Sequence, residues 1–422
     1  MVVAMREMKD SRIEYVGSIP YEWDIHPLYC YFGERKNKNY ALQEQNLLSL
    51  SYGNVIRKDI DTVGGLLPAS FNTYNIVEAG DIIIRPTDLQ NDKRSLRTGL
   101  VIERGIITSA YIDLKPYPGV NSSFFRYLLH SFDVMKVFYN MGNGVRQGLN
   151  YDEFSKLMVF EPPDAEQKAI VAFLDAKCTE IDALSADIQS EIDTLEAYKR
   201  SVITEAVTKG LDKTVPMKDS GIAWIGEVPE NWGVEKVKYH LQRYELRNPG
   251  NQQILSVYRE YGIIPKDSRD DNHNVTSEDT SKYKYVRSGY LVINKMKAWQ
   301  GSMGVSSYEG VVSPAYFIYR FTDKLIVPQY LHYLFRSCYK DEFRRISGGI
   351  REGQWDLSPE AFANTLLLLP PVKEQGEIVA YIDSKVDEIE SIIAEKKEQL
   401  TVLADYKKSV IYEYVTGKKE VV

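Results

Sequence analysis

The sequence predicts an α+β protein in which two mixed α/β domains are separated by an antiparallel coiled coil of two long helices. Three observations support this prediction: an internal repeat, two long apolar stripes with helical spacing, and the same order of strand-like and helix-like segments in both halves. We expect a first domain over 1–161, a long helix over 162–212, a second domain over 213–369 and a second long helix over 370–422.

The internal repeat divides the chain into two similar parts. The segment 162–208 returns at 370–416, with a constant offset of 208 residues, and opens both times with the pattern Pro-Pro-x-x-Glu-Gln. A shorter pattern, Gly-x-x-Pro-x-x-Trp, lies near the start of each domain, at 17–23 and at 226–232. The chain is therefore two copies of one unit, each a domain followed by a repeated segment.

Each repeated segment is predicted to form one long helix. Apolar residues recur at steps of three or four from 174 to 202 and from 382 to 410, which is the spacing of a coiled-coil seam. Prolines precede each run, and Gly210 and Gly417 provide C-terminal stops. The predicted seam residues are Leu174, Ile181, Ile188, Leu195, Val202, Ile382, Ile389, Leu400, Leu403 and Val410, and the same stripe takes in Leu184, Tyr198, Ile392 and Tyr406.

The apolar stripe of each helix needs a partner, and the other helix is the nearest candidate. The stripe by itself fits a parallel or an antiparallel pair. Because each helix follows its own domain, an antiparallel pair would place the domains at opposite ends, whereas a parallel pair would crowd them together. We therefore expect residues 174–202 to lie head to tail against residues 382–410.

The composition is that of an ordinary soluble protein. Of 422 residues, 44% are hydrophobic and 26% are charged, and no stretch has the length and apolarity of a signal peptide or a membrane span. The three cysteines are far apart and predict neither disulfides nor a zinc site, so a reducing cytoplasm is expected. The net charge is −7, but the two helical segments carry −6 and −3, which leaves the two domains together at about +2.

Both domains show the same order of short elements. Strand-like runs of apolar residues are bounded by glycines and turns, and a helix-like segment follows them in each half. The predicted strands lie at 81–85, 105–108, 109–112, 291–293, 310–313 and 314–317, and the predicted helices lie at 124–138 and 330–343.

Two loops in each domain carry side chains suited to nucleic acid. The loop after the central strand is polar in both halves, at 85–94 and at 294–300, and a glycine-flanked loop with a central arginine follows at 142–148 and at 348–353. Glycines let a backbone approach phosphate, and Arg, Lys, Asn and Gln read base edges. An ordinary turn with a surface arginine, or a core position for Trp299, would also account for these features singly. Their recurrence in both domains favours binding.

No catalytic motif is present in the sequence. The chain has no Walker A loop and no His-Glu-x-x-His, and its five histidines are scattered. Neither Pro-Pro pattern has the flanking residues with which an aminomethyltransferase holds its target amine. We therefore expect no catalytic residue, no metal site and no bound cofactor in this chain.

The two domains, the two Pro-Pro-x-x-Glu-Gln helices and the two Gly-x-x-Pro-x-x-Trp patterns together make the whole chain resemble the specificity subunit of type I restriction-modification systems. The resemblance implies two target-recognition domains that each read half of a bipartite, asymmetric site on double-stranded DNA, with the helices setting the spacing. It also implies that the helices dock two modification subunits, which bind S-adenosylmethionine, and that two restriction subunits, which use ATP and Mg, join them where the system has such subunits. The chain itself would be non-catalytic and cytoplasmic.

The resemblance gives the polar loops specific expected roles. Two other classes of protein remain as alternatives. One is a structural or inhibitory coiled-coil protein whose domains bind other proteins. The other is a fused enzyme, which the missing catalytic motifs disfavour. We expect phosphate or base contacts from Arg85, Arg94, Arg146, Lys295, Lys297 and Arg351, and base readout from Gln90, Asn91, Trp299 and Gln300.

Overall fold

The chain folds into two compact units, each of which contains parts of both long helices. Unit 1 comprises Met1–Ile188 with Glu398–Val422, and unit 2 comprises Gln189–Lys397. The computed structural model describes residues 6–60, 70–87, 89, 96–139, 141, 148–250, 252–259, 261–268, 279–349 and 355–421.

Unit 1 is built around a four-stranded antiparallel sheet with the order β4-β11-β8-β9, accompanied by the strand pairs β1-β2, β3-β12, β5-β6 and β7-β10. The strands are β1 (Met8–Asp10), β2 (Ser18–Pro20), β3 (Asp24–Pro27), β4 (Phe32–Glu34), β5 (Leu48–Ser51), β6 (Asn54–Arg57), β7 (Asn75–Val77), β8 (Ile82–Ile84), β9 (Thr98–Leu100), β10 (Gly105–Ile107), β11 (Ile112–Pro116) and β12 (Met158–Glu161). The helices are α1 (Ser122–Val134), α2 (Tyr151–Phe154) and the long α3 (Asp164–Lys209), of which unit 1 contains the first part.

Unit 2 has the same topology, with the sheet order β16-β23-β20-β21 and the pairs β13-β14, β15-β26, β17-β18 and β19-β22. The strands are β13 (Met217–Asp219), β14 (Glu227–Pro229), β15 (Gly233–Lys236), β16 (Leu241–Arg243), β17 (Leu255–Tyr258), β18 (Gly262–Pro265), β19 (Lys284–Val286), β20 (Leu291–Asn294), β21 (Met303–Val305), β22 (Gly310–Val312), β23 (Tyr316–Phe321), β24 (Ser347–Gly348), β25 (Asp356–Leu357) and β26 (Leu366–Leu369). The helices are α4 (Pro328–Cys338), α5 (Lys340–Arg345), α6 (Pro359–Asn364) and α7 (Val372–Val415). The predicted duplication is therefore present in the fold.

One strand of each sheet, β8 in unit 1 and β20 in unit 2, separates two apolar cores and is called the central strand below. In unit 1, Ile82 and Ile84 face the core that contains the helices, whereas Ile83 faces a smaller core formed with the accompanying strands. In unit 2, Leu291 and Ile293 face one core and Val292 faces the other. Because side chains alternate between the two faces of a strand, a strand buried on both faces is a continuous apolar run.

The predicted helix over 330–343 is interrupted in the structure. α4 ends at Cys338 and α5 begins at Lys340, because the intervening Tyr339 has φ −101° and ψ 1°. This break allows Tyr339 to bury its ring completely and to donate its hydroxyl hydrogen to the Leu366 carbonyl oxygen, 2.9 Å away. The other predicted helix, over 124–138, is shorter than expected because α1 ends at Val134.

The two long helices pair in antiparallel orientation within each unit, as predicted. In unit 1, the first turns of α3 share a core with the last turns of α7, and in unit 2 the last turns of α3 share a core with the first turns of α7. Ion pairs join the helices as well, since Lys407 contacts Asp182 in unit 1 and Lys199 contacts Glu390 in unit 2. The core contacts come from Ile170, Leu174, Val410 and Val415 in unit 1, and from Ala206, Val207, Ile378 and Ile382 in unit 2.

The residues of the predicted stripe differ in exposure, and four of them lie outside the contact face. Leu184, Tyr198, Ile392 and Tyr406 are exposed, and Ile393 is buried in place of its neighbour Ile392. A helix with 3.6 residues per turn drifts away from a regular three-and-four step, so an apolar residue that fits the step can leave the contact face. Leu174, Ile181, Ile188, Val202, Ile382, Ile389 and Val410 are buried, and Leu195, Leu400 and Leu403 are half-buried.

The two repeated sequence patterns meet in the structure and anchor each domain to the helix pair. The Trp23 indole Nε1 donates to the Glu166 carboxylate at 3.0 Å, and the Trp232 Nε1 donates to the Glu374 carboxylate at the same distance. Gly417, at the end of α7, packs against Trp23 so closely that a Cβ atom there would lie 3.0 Å from the indole ring. We call each Gly-x-x-Pro-x-x-Trp pattern, at 17–23 and at 226–232, the lead-in of its domain. The tryptophan of each lead-in thus binds the start of one long helix and contacts the end of the other.

A membrane span is not among the features of the fold. In the part of the chain that the structure describes, no helix combines the length and the apolar character that crossing a bilayer requires.

Candidate nucleic-acid interface

In each unit, a backbone hydrogen bond joins the start of the loop after the central strand to a residue that follows the glycine-flanked segment. In unit 1, the backbone N–H of Leu149 donates to the carbonyl oxygen of Pro86 at 3.0 Å. In unit 2, the N–H of Leu357 donates to the carbonyl oxygen of Lys295 at 2.9 Å. In unit 1 the bond links the start of the loop after the central strand to Leu149, which follows the glycine-flanked segment 142–148 directly, and in unit 2 it links that loop to Leu357, four residues after the segment 348–353. Residues 142–147 and 350–354 lie outside the described residues, so the contact concerns residues that flank the glycine-rich segments.

In unit 1, the described part of the loop after the central strand begins at the exposed Arg85. Arg97, which the sequence analysis did not select, is buried and its guanidinium donates to the carbonyl oxygens of Arg85, at 3.2 Å, and Thr87. The backbone N–H of Arg97 in turn donates to the buried Asp133 carboxylate. Arg97 therefore holds the first turn of the loop in place. Four predicted contacts, Gln90, Asn91, Arg94 and Arg146, lie outside the described residues.

In unit 2, the structure gives the two predicted lysines different surroundings. The Lys295 ammonium lies 2.6 Å from the Asp356 carboxylate, so it ties the loop to β25. Lys297 is exposed at the start of the short helical turn 298–300. A charge already paired inside the protein contributes less to a phosphate contact than an exposed one. Arg351 lies outside the described residues.

Trp299 is half-buried and packs edge-on against Trp355 at the surface of unit 2. Its ring centroid lies 5.7 Å from that of Trp355, and the Arg344 guanidinium lies 5.8 Å from the Trp299 ring and 5.9 Å from the Trp355 ring. The Trp299 Nε1 is buried and has no hydrogen-bond partner among the described residues. Neither Trp355 nor Arg344 was selected from sequence, because a single aromatic or basic residue carries no pattern.

Gln300, the last predicted readout residue, is linked to a hairpin of unit 2. The Arg259 guanidinium, at the end of the hairpin β17-β18, donates to the Gln300 side-chain oxygen. The Arg336 guanidinium donates to the backbone oxygens of Arg259 and, at 3.4 Å, of Met303. The hairpin and the loop after the central strand are therefore held together by two arginines that the sequence analysis did not select.

Arg243 of β16 lies on an aromatic ring of the same sheet of unit 2, and Lys284 of the neighbouring β19 shares its carboxylate partner. The Arg243 guanidinium lies 3.9 Å from the Phe317 ring centroid and 2.9 Å from the Glu245 carboxylate, which also contacts Lys284 at 3.5 Å. Burial lowers the pKa of the Lys284 ammonium, and the neighbouring Arg243 charge acts in the same direction. The positive charge on this face is thus partly neutralised by protein carboxylates.

Unit 1 has a buried acidic pair where unit 2 has apolar and aromatic residues. The Arg35 guanidinium contacts the buried Asp81 carboxylate at 2.7 Å and lies 3.8 Å from that of Asp113. Burial raises the pKa of the Asp113 carboxyl to about 8, and the nearby Asp81 charge adds to the rise. The backbone bond from Arg35 N to Asp113 O, 2.9 Å, corresponds in unit 2 to the bond from Tyr244 N to Ile318 O, 2.8 Å. The two domains therefore share a backbone design but differ in their side chains.

Comparisons with known proteins give related sequences and related folds. No model of a protein family matches the chain. The chain is 23% identical over 444 residues to the type I restriction enzyme MjaVIII specificity subunit of Methanocaldococcus jannaschii, a match that covers 99% of this chain and 98% of that protein. It is also 23% identical over 240 residues to the type I restriction enzyme EcoKI specificity subunit of Escherichia coli K12, which covers 53% of this chain and 49% of that protein.

Two solved structures share the fold of the chain. One comes from a study of complex assembly and conformational transition of the type I R-M system, with a TM-score of 0.69, 14% identity, and coverage of 95% of this chain and 99% of that one. The other is the HsdS subunit from Thermoanaerobacter tengcongensis, with a TM-score of 0.51, 14% identity, and coverage of 95% and 98%. At this identity the structural similarity concerns the fold, and the similarity to specificity subunits in sequence is independent of it.

Proposed function

This chain belongs with the specificity subunits of type I restriction-modification systems, and we propose that it is the non-catalytic, sequence-specific DNA-binding subunit of such a complex. The observation that supports this function most directly is a backbone hydrogen bond that recurs at the polar loop of each unit. It joins the start of a loop rich in base-reading side chains to a residue that follows a glycine-flanked segment in the sequence. A protein that reads two half-sites needs one reading surface per half-site.

The proposed target is bipartite and asymmetric. The target-recognition domains are the segments 1–161 and 213–369, and each reads one half-site. The loop after the central strand differs between the two domains, since Pro86 of unit 1 occupies the place that Lys295 holds in unit 2. Different side chains on equivalent backbones present different donors and acceptors to the bases. The two half-sites should therefore differ in sequence, and the helices 162–212 and 370–422 set the spacing between them.

The charge distribution favours DNA binding as part of a complex. The two domains together carry a charge of only about +2, so the phosphate attraction that dominates most protein–DNA affinity is weak in this chain alone. The proposed partners are two modification subunits, docked on the acidic helices, and, where present, two restriction subunits. S-adenosylmethionine would be bound by the modification subunits, and ATP and Mg by the restriction subunits. The complex would work in the cytoplasm, where chromosomal DNA lies.

Domain exchange tests this function. The chain is co-expressed with its modification subunits in cells that lack other adenine methylation, and the methylated adenines are sequenced. We expect one bipartite motif, and exchange of residues 1–161 for the corresponding domain of a related protein should change only one half of it. A change in both halves would contradict domain-wise reading. Deletion of the chain should abolish all methylation, and the subunits should assemble normally when the chain is supplied again. Together these two results separate DNA recognition from a purely structural role.

A further inference from the structure

The hairpin next to the candidate loops is held rigidly in both units. The hairpin β5-β6 packs on β9 in unit 1, and β17-β18 packs on β21 in unit 2. Each edge strand has a glycine here: a Cβ atom at Gly99 would lie 2.5 Å from the Leu50 side chain of the hairpin, whereas one at Gly304 would lie 3.0 Å from the His332 ring of α4 and 3.5 Å from the Gly262 Cα of the hairpin. A larger residue at Gly99 would displace Leu50, and a larger residue at Gly304 would crowd His332. The hairpin therefore packs against the sheet edge in each unit.

The backbone at the end of the hairpin in unit 2 is also fixed. The Arg336 guanidinium donates to the Arg259 carbonyl oxygen. Gly262, which begins β18, has a φ of +72°, and a Cβ atom there would lie 2.8 Å from the Arg336 Nη1. A side chain at Gly262 would therefore have to displace the end of the Arg336 side chain. This arrangement holds the exposed Arg259 at a defined place beside the loop after the central strand.

The Arg259 side chain is oriented by Gln300. One of its N–H groups donates to the Gln300 side-chain oxygen, and an arginine has five such donors in a planar fork. Holding a long side chain in one direction costs conformational entropy. The fork can also pair with two oxygens of a phosphate, but phosphate attraction is independent of sequence and does not require one fixed orientation, whereas a base contact does. A fixed fork gains most where two acceptors lie side by side, as do the O6 and N7 atoms of guanine in the major groove.

We propose that Arg259 is a specificity-determining residue of unit 2 that reads a guanine, and that Gln300 is a positioning residue that orients it. This inference rests on the proposed DNA-reading function and adds the hairpin to the loop after the central strand as an element of the reading surface of unit 2. It also changes the expected role of Gln300 from reading a base to presenting the residue that does so. The corresponding hairpin end in unit 1 is Tyr52-Gly53, which carries no such fork.

Variants of the full-length chain in complex with the modification subunits test this assignment. The wild-type complex first defines the two half-sites by sequencing of methylated adenines. Arg259→Ala should reduce discrimination at one G·C pair of a single half-site by roughly 10- to 100-fold and leave the other half-site unchanged. Arg259→Lys keeps the charge but lacks the planar fork, and should not restore discrimination. Gln300→Ala should relax the same position partly.

The control is Arg287→Ala, which removes an exposed arginine that lies before β20, at the end of that strand remote from the loop. We expect it to keep the full motif, and circular dichroism melting should show that all variants fold. The assignment is overturned if Arg259→Ala keeps the motif, or if it weakens binding to every sequence equally and lowers the salt dependence by about one phosphate contact. A wild-type complex that methylates no bipartite motif would instead overturn the proposed function.

Discussion

A single methyl group added at Gly417 should disturb most strongly the contact between the first domain and the end of α7. Gly417 ends α7 with a φ of +66°, and an added Cβ atom would lie 2.4 Å from two atoms of the Pro20 ring and 3.0 Å from the Trp23 indole. The left-handed backbone alone costs a non-glycine residue about 1 kcal/mol. Overpacking against a rigid ring costs roughly 1–3 kcal/mol more. Gly417→Ala should therefore lower the free energy of unfolding by about 2–4 kcal/mol.

Two matched substitutions separate the contact from the backbone strain. Gly226 has a φ of +72° with nothing within 4 Å of the added atom, so Gly226→Ala should cost only about 1 kcal/mol. At Gly210, also at φ +72°, the nearest atom is the Glu374 carboxylate oxygen at 2.9 Å, which can shift only by weakening its hydrogen bond with Trp232, so Gly210→Ala should fall between the two. Urea unfolding followed by circular dichroism measures all three. Equal midpoints for Gly417→Ala and Gly226→Ala would refute the packing of the helix end on the lead-in.

Three further predictions concern the anchor, the buried acid and the polar loop. Trp232→Phe removes the hydrogen bond to the Glu374 carboxylate and should cost about 1–3 kcal/mol in urea unfolding; an unchanged midpoint would show that the bond is not formed. Because the pKa of Asp113 is raised from 3.8 to about 8 in the folded state, its protonated form stabilises the fold at low pH, and this contribution is lost as the pH rises through about 8. Wild type should therefore lose melting temperature between pH 5 and 9 relative to Asp113→Asn, and parallel pH profiles would contradict this. Lys297→Ala should lower the slope of log affinity against log salt by about one, whereas Lys295→Ala, whose ammonium is already paired, should leave the slope nearly unchanged; equal effects would argue against this distinction.

The fold was predictable where the pattern is local. A strand buried on both faces must be a short apolar run, and 82–84 and 291–294 are such runs in the sequence and strands in the structure. The two long helices follow from uninterrupted apolar spacing bounded by prolines and glycines. Their antiparallel pairing could be argued from the order of domains and helices, because a connection of fixed length limits where each domain can lie.

The candidate site was predictable only in part. Lys297 and Gln300 were selected because polar loop residues after a buried strand are common readers, and both lie on the surface of the loop. Arg259, Arg344 and Trp355 were missed because each is a single residue whose meaning depends on what folds against it. The ion pair of Lys295 could not be foreseen either, since its partner lies in a different strand pair of the same unit.

The sequence by itself determined that this protein is a duplicated unit, with equivalent strands and one long helix in each copy, because repeats and periodicity are written in neighbouring residues. Only the tertiary structure shows what the repeated patterns contact. The tryptophan of each lead-in donates to a glutamate 143 residues later in unit 1 and 142 residues later in unit 2. The tertiary structure also decided which stripe residues are buried and which arginine is presented beside the loop. These outcomes depend on distances between segments far apart in the chain, and close packing, which is sensitive to a single methyl group, sets those distances.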